Sequence, residues 1–267
     1  KIMVYRISNK WFVFLNQNNN HIKKFVNKIS IKNIIKRSII FRSARFLKHY
    51  YKFMKLNDNR FNLLFNNCWP ILNEWSGDHG FDRHYVYHTS WAARIIANNP
   101  PQLHIDIASD LRFSTLISAF TKVEYYDYRK LDLQLNNLKI GVADLLELPF
   151  KSNSIKSISC MHVIEHIGLG RYGEKIDPMG DIKAISELIR ILAPGGKLFF
   201  VVPIGKSRIE FNAGRVYNKD QIFSYFPNLN LLDFTLIPDS GKDGGLVKNP
   251  PESLLSKQIT ACGCFLF

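Results

Sequence analysis

Three observations predict an α/β fold built on an open, mostly parallel sheet. The stretch from Ile155 to Gly205 reads as a strand, a polar loop, a helix, a Pro-Gly-Gly stop and a second strand. That second strand contains Leu198-Phe199-Phe200-Val201-Val202-Pro203, an unbroken apolar run suited to a parallel strand covered on both faces. From Leu103 onward, strand-like and helix-like segments alternate, the pattern of a layered α/β domain.

The chain divides into residues 1–60, a basic amphipathic helical extension; residues 61–100, an aromatic helical cap; and residues 101–267, the α/β domain. The extension opens on Trp11-Phe12-Val13-Phe14-Leu15, breaks at Asn16–Asn20 and continues as a basic helical stretch from Ile22 to about Leu56. In the cap, Tyr85–Asn98 is the clearest helix, stopped by Asn99-Pro100-Pro101. Leu103–Ile107 is strand one, Phe113–Phe120 a helix, Val123–Tyr126 strand two, and Ile140–Val142 a short strand. Ser157–His162 is strand four. The helix Asp181–Leu192 follows, with Ile182, Ile185, Leu188, Ile189 and Leu192 on one face and Asp181 placed as N-cap. Beyond Gly205, Asp220–Phe226 is helical, Leu231–Ile237 a strand, and Gln258–Phe267 the closing strand.

The composition narrows the function class. At 267 residues with 46% hydrophobic content, the chain holds one large domain plus an appendage. No apolar run approaches the roughly 18 residues of a membrane span, so a soluble or peripheral protein is expected. The net charge of +14 is local: residues 1–60 carry 15 of the 36 basic residues against one of the 22 acidic ones, Asp58, so the rest balances at 21 of each. A basic amphipathic segment over 22–56 suits an anionic membrane surface, a nucleic acid, or plain cover for the domain. Cys68, Cys160, Cys262 and Cys264 lack a disulfide framework, which points to free thiols in a reducing compartment. Cys262 and Cys264 share a strand face, yet two ligands make no zinc site, so no metal is expected. The terminal Cys264-Phe-Leu-Phe loosely fits a prenylation box but suits the end of an apolar strand better.

The segments HVIEHIGLGRYGEKIDPMG, LAPGGKLFFVVPIG and FNAGRVYNKDQI, in that order, resemble a poorly characterised branch of the class I S-adenosylmethionine (SAM) dependent methyltransferases, a domain of unknown function. The likeness runs from about Gly80 to the C-terminus. It implies a Rossmann-like, seven-stranded sheet with helices on both faces, SAM as cofactor, and a small polar or glycan-type acceptor; the expected location is the cytoplasm, free or peripheral on the inner membrane face.

The family's first strand ends in [D/E]-x-G-x-G-x-G, because SAM passes close over the backbone there. The matching segment runs from Asp106 to Arg112, with Ala108, Asp110 and Arg112 at the glycine positions. The resemblance makes Asp106, Ala108 and Ser109 cofactor contacts, although Asp106 also suits a helix cap. Asp127 stands about twenty residues after Asp106, the interval at which nucleotide-binding α/β domains place a ribose carboxylate, though a surface strand end fits it too. Glu124 is a weaker candidate. By resemblance, Asp144 accepts from the adenine amino group, Leu145 packs on the ring and His162 lines the cofactor.

His162-Val163-Ile164-Glu165-His166 spells a zinc-protease pattern, but that chemistry needs both histidines on one helix face and the segment is a strand end. In the methyltransferase frame, Glu165 or His166 faces the acceptor, and His166 suits a proton acceptor near neutral pH. His166 equally suits holding the loop Gly168–Gly180. Arg171 and Tyr172 in that loop, with Arg208, Asn212 and Arg215 after strand five, are the substrate-binding candidates for an anionic or sugar-like acceptor, with solvated charge as the alternative. His84 and His88 belong either to a lid or to the core. The expected activity is O-methylation. A non-catalytic module docking on a membrane or partner is the alternative, and nucleic-acid methylation lacks an N/D-P-P-Y-type motif.

Overall fold

The computed structural model describes residues 3–7, 10–14, 39–56, 60–74 and 80–267. The Asn cluster and the basic stretch from Ile22 to residue 38 lie outside the described residues. Backbone contacts divide the chain into Lys1–Gly80 and Phe81–Phe267.

In the first unit, β1 (Met3–Ile7) and β2 (Lys10–Phe14) form an antiparallel hairpin. Helix α1 (Ile39–Leu56) has no acidic residue in its first turn, ends near Lys55 and buries none of its side chains. No described helix is long and apolar enough to cross a membrane.

The second unit opens with α2 (Arg83–Asn98), capped by Asp82, whose carboxylate accepts from the Tyr85 amide. Next come β3 (His104–Ile107), α3 (Leu111–Ile117), β4 (Val123–Asp127), β5 (Leu138–Val142) and β6 (Ile155–Met161). Helix α4 (Gly180–Ile191) leads into β7 (Leu192–Ile204), which is followed by a small hairpin of β8 (Arg208–Glu210) and β9 (Gly214–Val216). Then follow α5 (Lys219–Tyr225), β10 (Asp233–Ile237), β11 (Val247–Lys248), α6 (Glu252–Leu255) and β12 (Ala261–Leu266).

The main sheet has the order β11-β10-β12-β7-β6-β3-β4-β5. Strands β5, β4, β3, β6 and β7 are parallel, and β12 joins β7 antiparallel with β10 beyond it. This is the α/β sheet that the resemblance implied, with the two-residue β11 added at one edge. A core on one face packs Ala184, Ile185, Leu188 and Ile191 of α4 against Phe200, Val202 and Phe265. On the other face, Trp91, Ala92 and Ile96 of α2 join Phe113 and Ile117 of α3. Each fully buried large side chain, such as Phe200, contributes about 1.5–3 kcal/mol.

Two boundaries differ from expectation. The Pro194-Gly195-Gly196 segment does not separate helix from strand, because β7 begins at Leu192, opposite Ile155, and runs through it with a register shift. Asp181 is not the N-cap; Met179 is, and Asp181 sits buried in the first turn. There it accepts a hydrogen bond from the Tyr217 hydroxyl at 3.0 Å.

Candidate functional site

Strand β3 has β4 on one side and β6 on the other, so the chain leaves its carboxyl end where connections diverge to opposite flanks. Open α/β sheets bind ligands at such a point. A cavity of about 260 Å³ opens there, lined by Ala108, Asp127, Asp144, Leu145, His162 and His166, with Arg129 and Tyr172 also in its wall. A wider groove of about 960 Å³ borders Ser118 and Leu138, at the amino-terminal end of β5. It meets none of the strand-end carboxylates, and the site is therefore assigned to the smaller cavity.

Ala108 follows β3 with φ +55° and donates its amide to the Tyr126 carbonyl at 2.8 Å. The left-handed conformation costs an alanine roughly 1–2 kcal/mol, yet the turn is kept and its methyl is the smallest side chain after glycine's hydrogen. Asp110 caps α3, accepting from the Arg112 amide at 2.9 Å and from its guanidinium at 2.5 Å. The two side chains thus satisfy each other, and neither lines the cavity.

Asp127 closes β4. Its carboxylate takes the Arg129 amide at 2.8 Å, the Arg129 guanidinium at 3.1 Å and the Tyr125 hydroxyl at 3.2 Å. Burial pushes its carboxyl upward, but the Arg129 hydrogen bonds outweigh it and hold Asp127 below its usual range. Asp144 accepts from the Leu146 amide at 2.8 Å and fixes the turn that presents Leu145.

Several expected contacts lie elsewhere. Asp106 is fully buried behind the cavity, accepting from Ser114 and, at 2.7 Å, from Ser159. Burial pushes its carboxyl up to about 6. Ser159 in turn accepts from His104 Nε2 at 2.9 Å, so Asp106 belongs to a core network. Ser109 is also buried, its hydroxyl accepting from the Met161 amide at 3.1 Å to tie the loop to β6. Glu165 does not face the cavity: it is 2% exposed, with Oε1 2.7 Å from His162 Nδ1.

Arg215 is no substrate ligand, because its guanidinium donates to the carbonyls of Ile167 at 2.7 Å and Pro178 at 3.3 Å, beside Asp181 at 3.6 Å. It anchors the loop that starts at Ile167. Arg208 is occupied by Glu210, the Ile259 carbonyl and Thr260 and does not line the cavity. Asn212 lies at the exposed turn of the β8–β9 hairpin, also away from the cavity wall.

The loop does bring His166, Arg171 and Tyr172 together. Arg171 Nη1 donates to His166 Nδ1 at 3.1 Å and to the Ala213 carbonyl at 2.7 Å, and the Tyr172 ring meets the His166 ring edge-on. Burial lowers the affinity of His166 for protons, which keeps it neutral at pH 7. Arg129 is one of the cavity residues that sequence reasoning missed, with Tyr126, Tyr128, Glu174 and Lys175. Its signal was the spacing Asp127-x-Arg129, which lets a side chain fold back onto the strand-end carboxylate.

His162 sits at φ +57° just after β6, and the rings of His84 and Tyr85 each stack with its ring at 5.4 Å. His88 meets it edge-on at 5.1 Å. Burial pushes His84 down to about 4, His88 down to about 3 and the Tyr85 hydroxyl up to about 12.

A family described as "Caenorhabditis protein of unknown function, DUF268" matches residues 110–233. "Uncharacterized protein MJ0638" of Methanocaldococcus jannaschii is 33% identical over 99 residues, which are 33% of this chain and 39% of that protein. The match therefore spans well under half of that relative's length. Among solved structures, the N-methyltransferase NodS of Bradyrhizobium japonicum, in complex with S-adenosyl-L-homocysteine, is 13% identical with a TM-score of 0.46, over 67% of this chain and 84% of that one. A possible histamine N-methyltransferase of Thermotoga maritima is 12% identical with a TM-score of 0.45, over 68% and 88%. The strand order and directions given above are those of an open, mostly parallel α/β sheet with an antiparallel edge.

Proposed function

We propose that the chain is a SAM-dependent methyltransferase. The observation that carries the reading is the placement of Ala108, with its left-handed turn, and of Asp127 and Asp144 around one cavity at the carboxyl ends of the parallel strands. On this reading Asp127 accepts from the ribose hydroxyls, Asp144 from the adenine amino group, and Leu145 packs on the adenine. A passage of backbone at Ala108 receives the methionine part, and His162 closes the wall. SAM supplies an electrophilic methyl group, and the residues hold donor and acceptor in line.

The acceptor we infer is a small polar molecule methylated on oxygen. His166, neutral and at the cavity, would take the hydroxyl proton as the methyl–oxygen bond forms. Arg171, held on His166 Nδ1, would move onto an anionic or sugar-like acceptor and leave that nitrogen free. The glycan-type assignment comes from the resemblance of the motifs, not from these contacts.

Calorimetric titration of the folded full chain with SAM and with S-adenosylhomocysteine tests the reading. Micromolar binding of both supports it, and no binding to folded protein overturns it. A second reading, a methyltransferase-like module docked on an anionic cytoplasmic membrane face, is favoured by α1. That helix carries Arg42, Arg45, Lys48, Lys52 and Lys55 with no acidic residue, and Phe41, Leu47 and Phe53 are exposed. Binding to anionic vesicles without binding to SAM would select it.

A further inference from the structure

We propose that His84, His162 and Cys262 form a binding site for one divalent metal ion of the zinc class, with Glu165 orienting His162. The three residues come from the start of α2, the end of β6 and the start of β12, and their donor atoms all lie within 4.8 Å of one another. Two nitrogens and one sulfur match the borderline-soft preference of zinc, and three protein ligands leave one coordination position for water or a substrate oxygen.

A second observation, separate from that proximity, points to a cation. His162 commits Nδ1 to Glu165 at 2.7 Å, and its Nε2 is buried with no hydrogen-bond partner. The side chains of His162 and Glu165 are only 6% and 2% exposed. A carboxylate that holds one imidazole nitrogen, so that the other presents its lone pair, is the supporting arrangement of metal-bound histidines. His88 repeats it nearby: Nδ1 faces the His84 carbonyl at 2.7 Å, and Nε2 is buried and unpartnered. Buried polar atoms are otherwise nearly always paired, and each one left alone costs about 1–3 kcal/mol.

Charge points the same way. Glu165 Oε2 is buried without a partner, and the guanidinium of Arg215 reaches only the main-chain carbonyl of Glu165. A dication held by a Cys262 thiolate and facing the Glu165 carboxylate balances both negative charges in a region shielded from water. The loss of the thiol proton on binding is part of the reaction: the metal–sulfur bond forms and the proton passes to solvent. Sequence spacing could not disclose this site, because the usable partner of Cys262 is not Cys264 but two histidines 100 and 178 positions away in the chain.

The site does not depend on SAM binding, and its test needs none. The full chain, stripped with a chelator and shown by circular dichroism to be folded, is titrated with cobalt(II) as the probe. The expected result is one cobalt per chain, with tetrahedral ligand-field bands and a thiolate-to-cobalt charge-transfer band that zinc abolishes by displacement. Cys262→Ser should remove the charge-transfer band, His84→Gln should weaken binding at least tenfold, and Cys264→Ser should retain both. Glu165→Gln should weaken binding about 10- to 100-fold. Should Cys262→Ser fail to fold, the wild-type spectrum together with His84→Gln, altered at a partly exposed position, decides. A folded wild-type chain that binds no cobalt, or a spectrum unaffected by His84→Gln, overturns the proposal.

Discussion

The guanidinium carbon of Arg129 lies 4.9 Å from the centre of the Tyr172 ring, while the same guanidinium holds the Asp127 carboxylate. The pair joins the loop after β4 to the loop after β6 in the wall of a cavity of about 260 Å³. That volume is just under the range of roughly 300–1,000 Å³ usual for small-molecule sites. On the proposed reading, a nucleoside-sized ligand would fit more readily with the pair parted. Tyr172→Ala removes a contact of about 0.5–2 kcal/mol. Stopped-flow binding of S-adenosylhomocysteine should show association and dissociation both accelerating, with Kd changed less than either rate. Unchanged rates would mean that the pair does not gate the cavity.

Asp127 provides the most direct test of cofactor orientation. A hydrogen bond to a charged group contributes about 1.5–3 kcal/mol, so Asp127→Ala should weaken SAM binding by roughly 10- to 150-fold. Its partners Arg129 and Tyr125 can turn to water or to each other, and the fold should survive. Calorimetry checks the affinity, and an unchanged Kd would remove Asp127 from the site.

The centre of the sheet was legible because β6 and β7 flank α4, whose apolar residues keep a clear 3.6-residue period, and β7 carries an unbroken apolar run. Phe199-Phe200-Val201-Val202 and the α4 face of Ile185 and Leu188 leave little choice of partner. The site was legible only in part. Asp127 ends β4, Asp144 lies two residues beyond β5 and His166 five beyond β6, and all three line the cavity as their positions after the strands suggest. Asp106 and Arg215 carry equally suggestive charges, but a charge in the sequence does not disclose which way its side chain turns. Asp106 points into the core toward Ser114 and Ser159, and Arg215 back onto carbonyls at Ile167 and Pro178. Both answers depend on residues distant in the chain.

Arg215 yields a prediction opposite to that for a substrate ligand. Its side chain is 6% exposed and satisfies two loop carbonyls beside Asp181. Arg215→Ala leaves the buried Asp181 carboxylate without its cation, though still bonded to Tyr217, and the loop carbonyls without their donor, and such losses cost about 3–5 kcal/mol. Urea denaturation should show that loss, whereas a variant of wild-type stability with reduced acceptor affinity would return Arg215 to the substrate site.

The buried histidine His104 makes stability depend on acid. Ser159 donates to Asp106 and accepts from His104 Nε2, so His104 Nδ1 accepts from the Ser157 hydroxyl at 2.8 Å and the ring is neutral. Burial pushes it down to about 3. Between about pH 6.5 and 3 the unfolded chain binds this proton and the folded chain does not, so stability is fully present above 6.5 and falls as pH drops. His88, also pushed down to about 3, adds to the loss. Asp106 opposes it: pushed up to about 6, it favours the folded state as pH falls from 6 toward 3.8. His84, pushed down to about 4, adds a third, and three protons against one leave a net slope near pH 5 on the order of 2–3 kcal/mol per pH unit. Urea midpoints in chelator-treated buffer should therefore fall between pH 7 and pH 5, and His104→Gln should flatten the dependence.

His166 separates chemistry from binding. Its ring lies in the cavity wall with Nδ1 taken by Arg171, and burial keeps it neutral at pH 7. On the proposed reading, removal of a general base costs about 10²- to 10⁴-fold in rate, while the cofactor contacts proposed for Asp127 and Asp144 would be untouched. His166→Ala should therefore lower kcat by that range, read as release of S-adenosylhomocysteine, with SAM Kd within a few-fold of wild type. The pH profile carries a second signature. A histidine whose pKa lies below 6.5 is deprotonated above that value, so kcat should rise with pH to a plateau reached by about 7, and the variant should lose that limb. An equal loss of kcat and SAM affinity, with the limb retained, would make His166 the anchor of the Gly168–Gly180 loop instead of the proton acceptor.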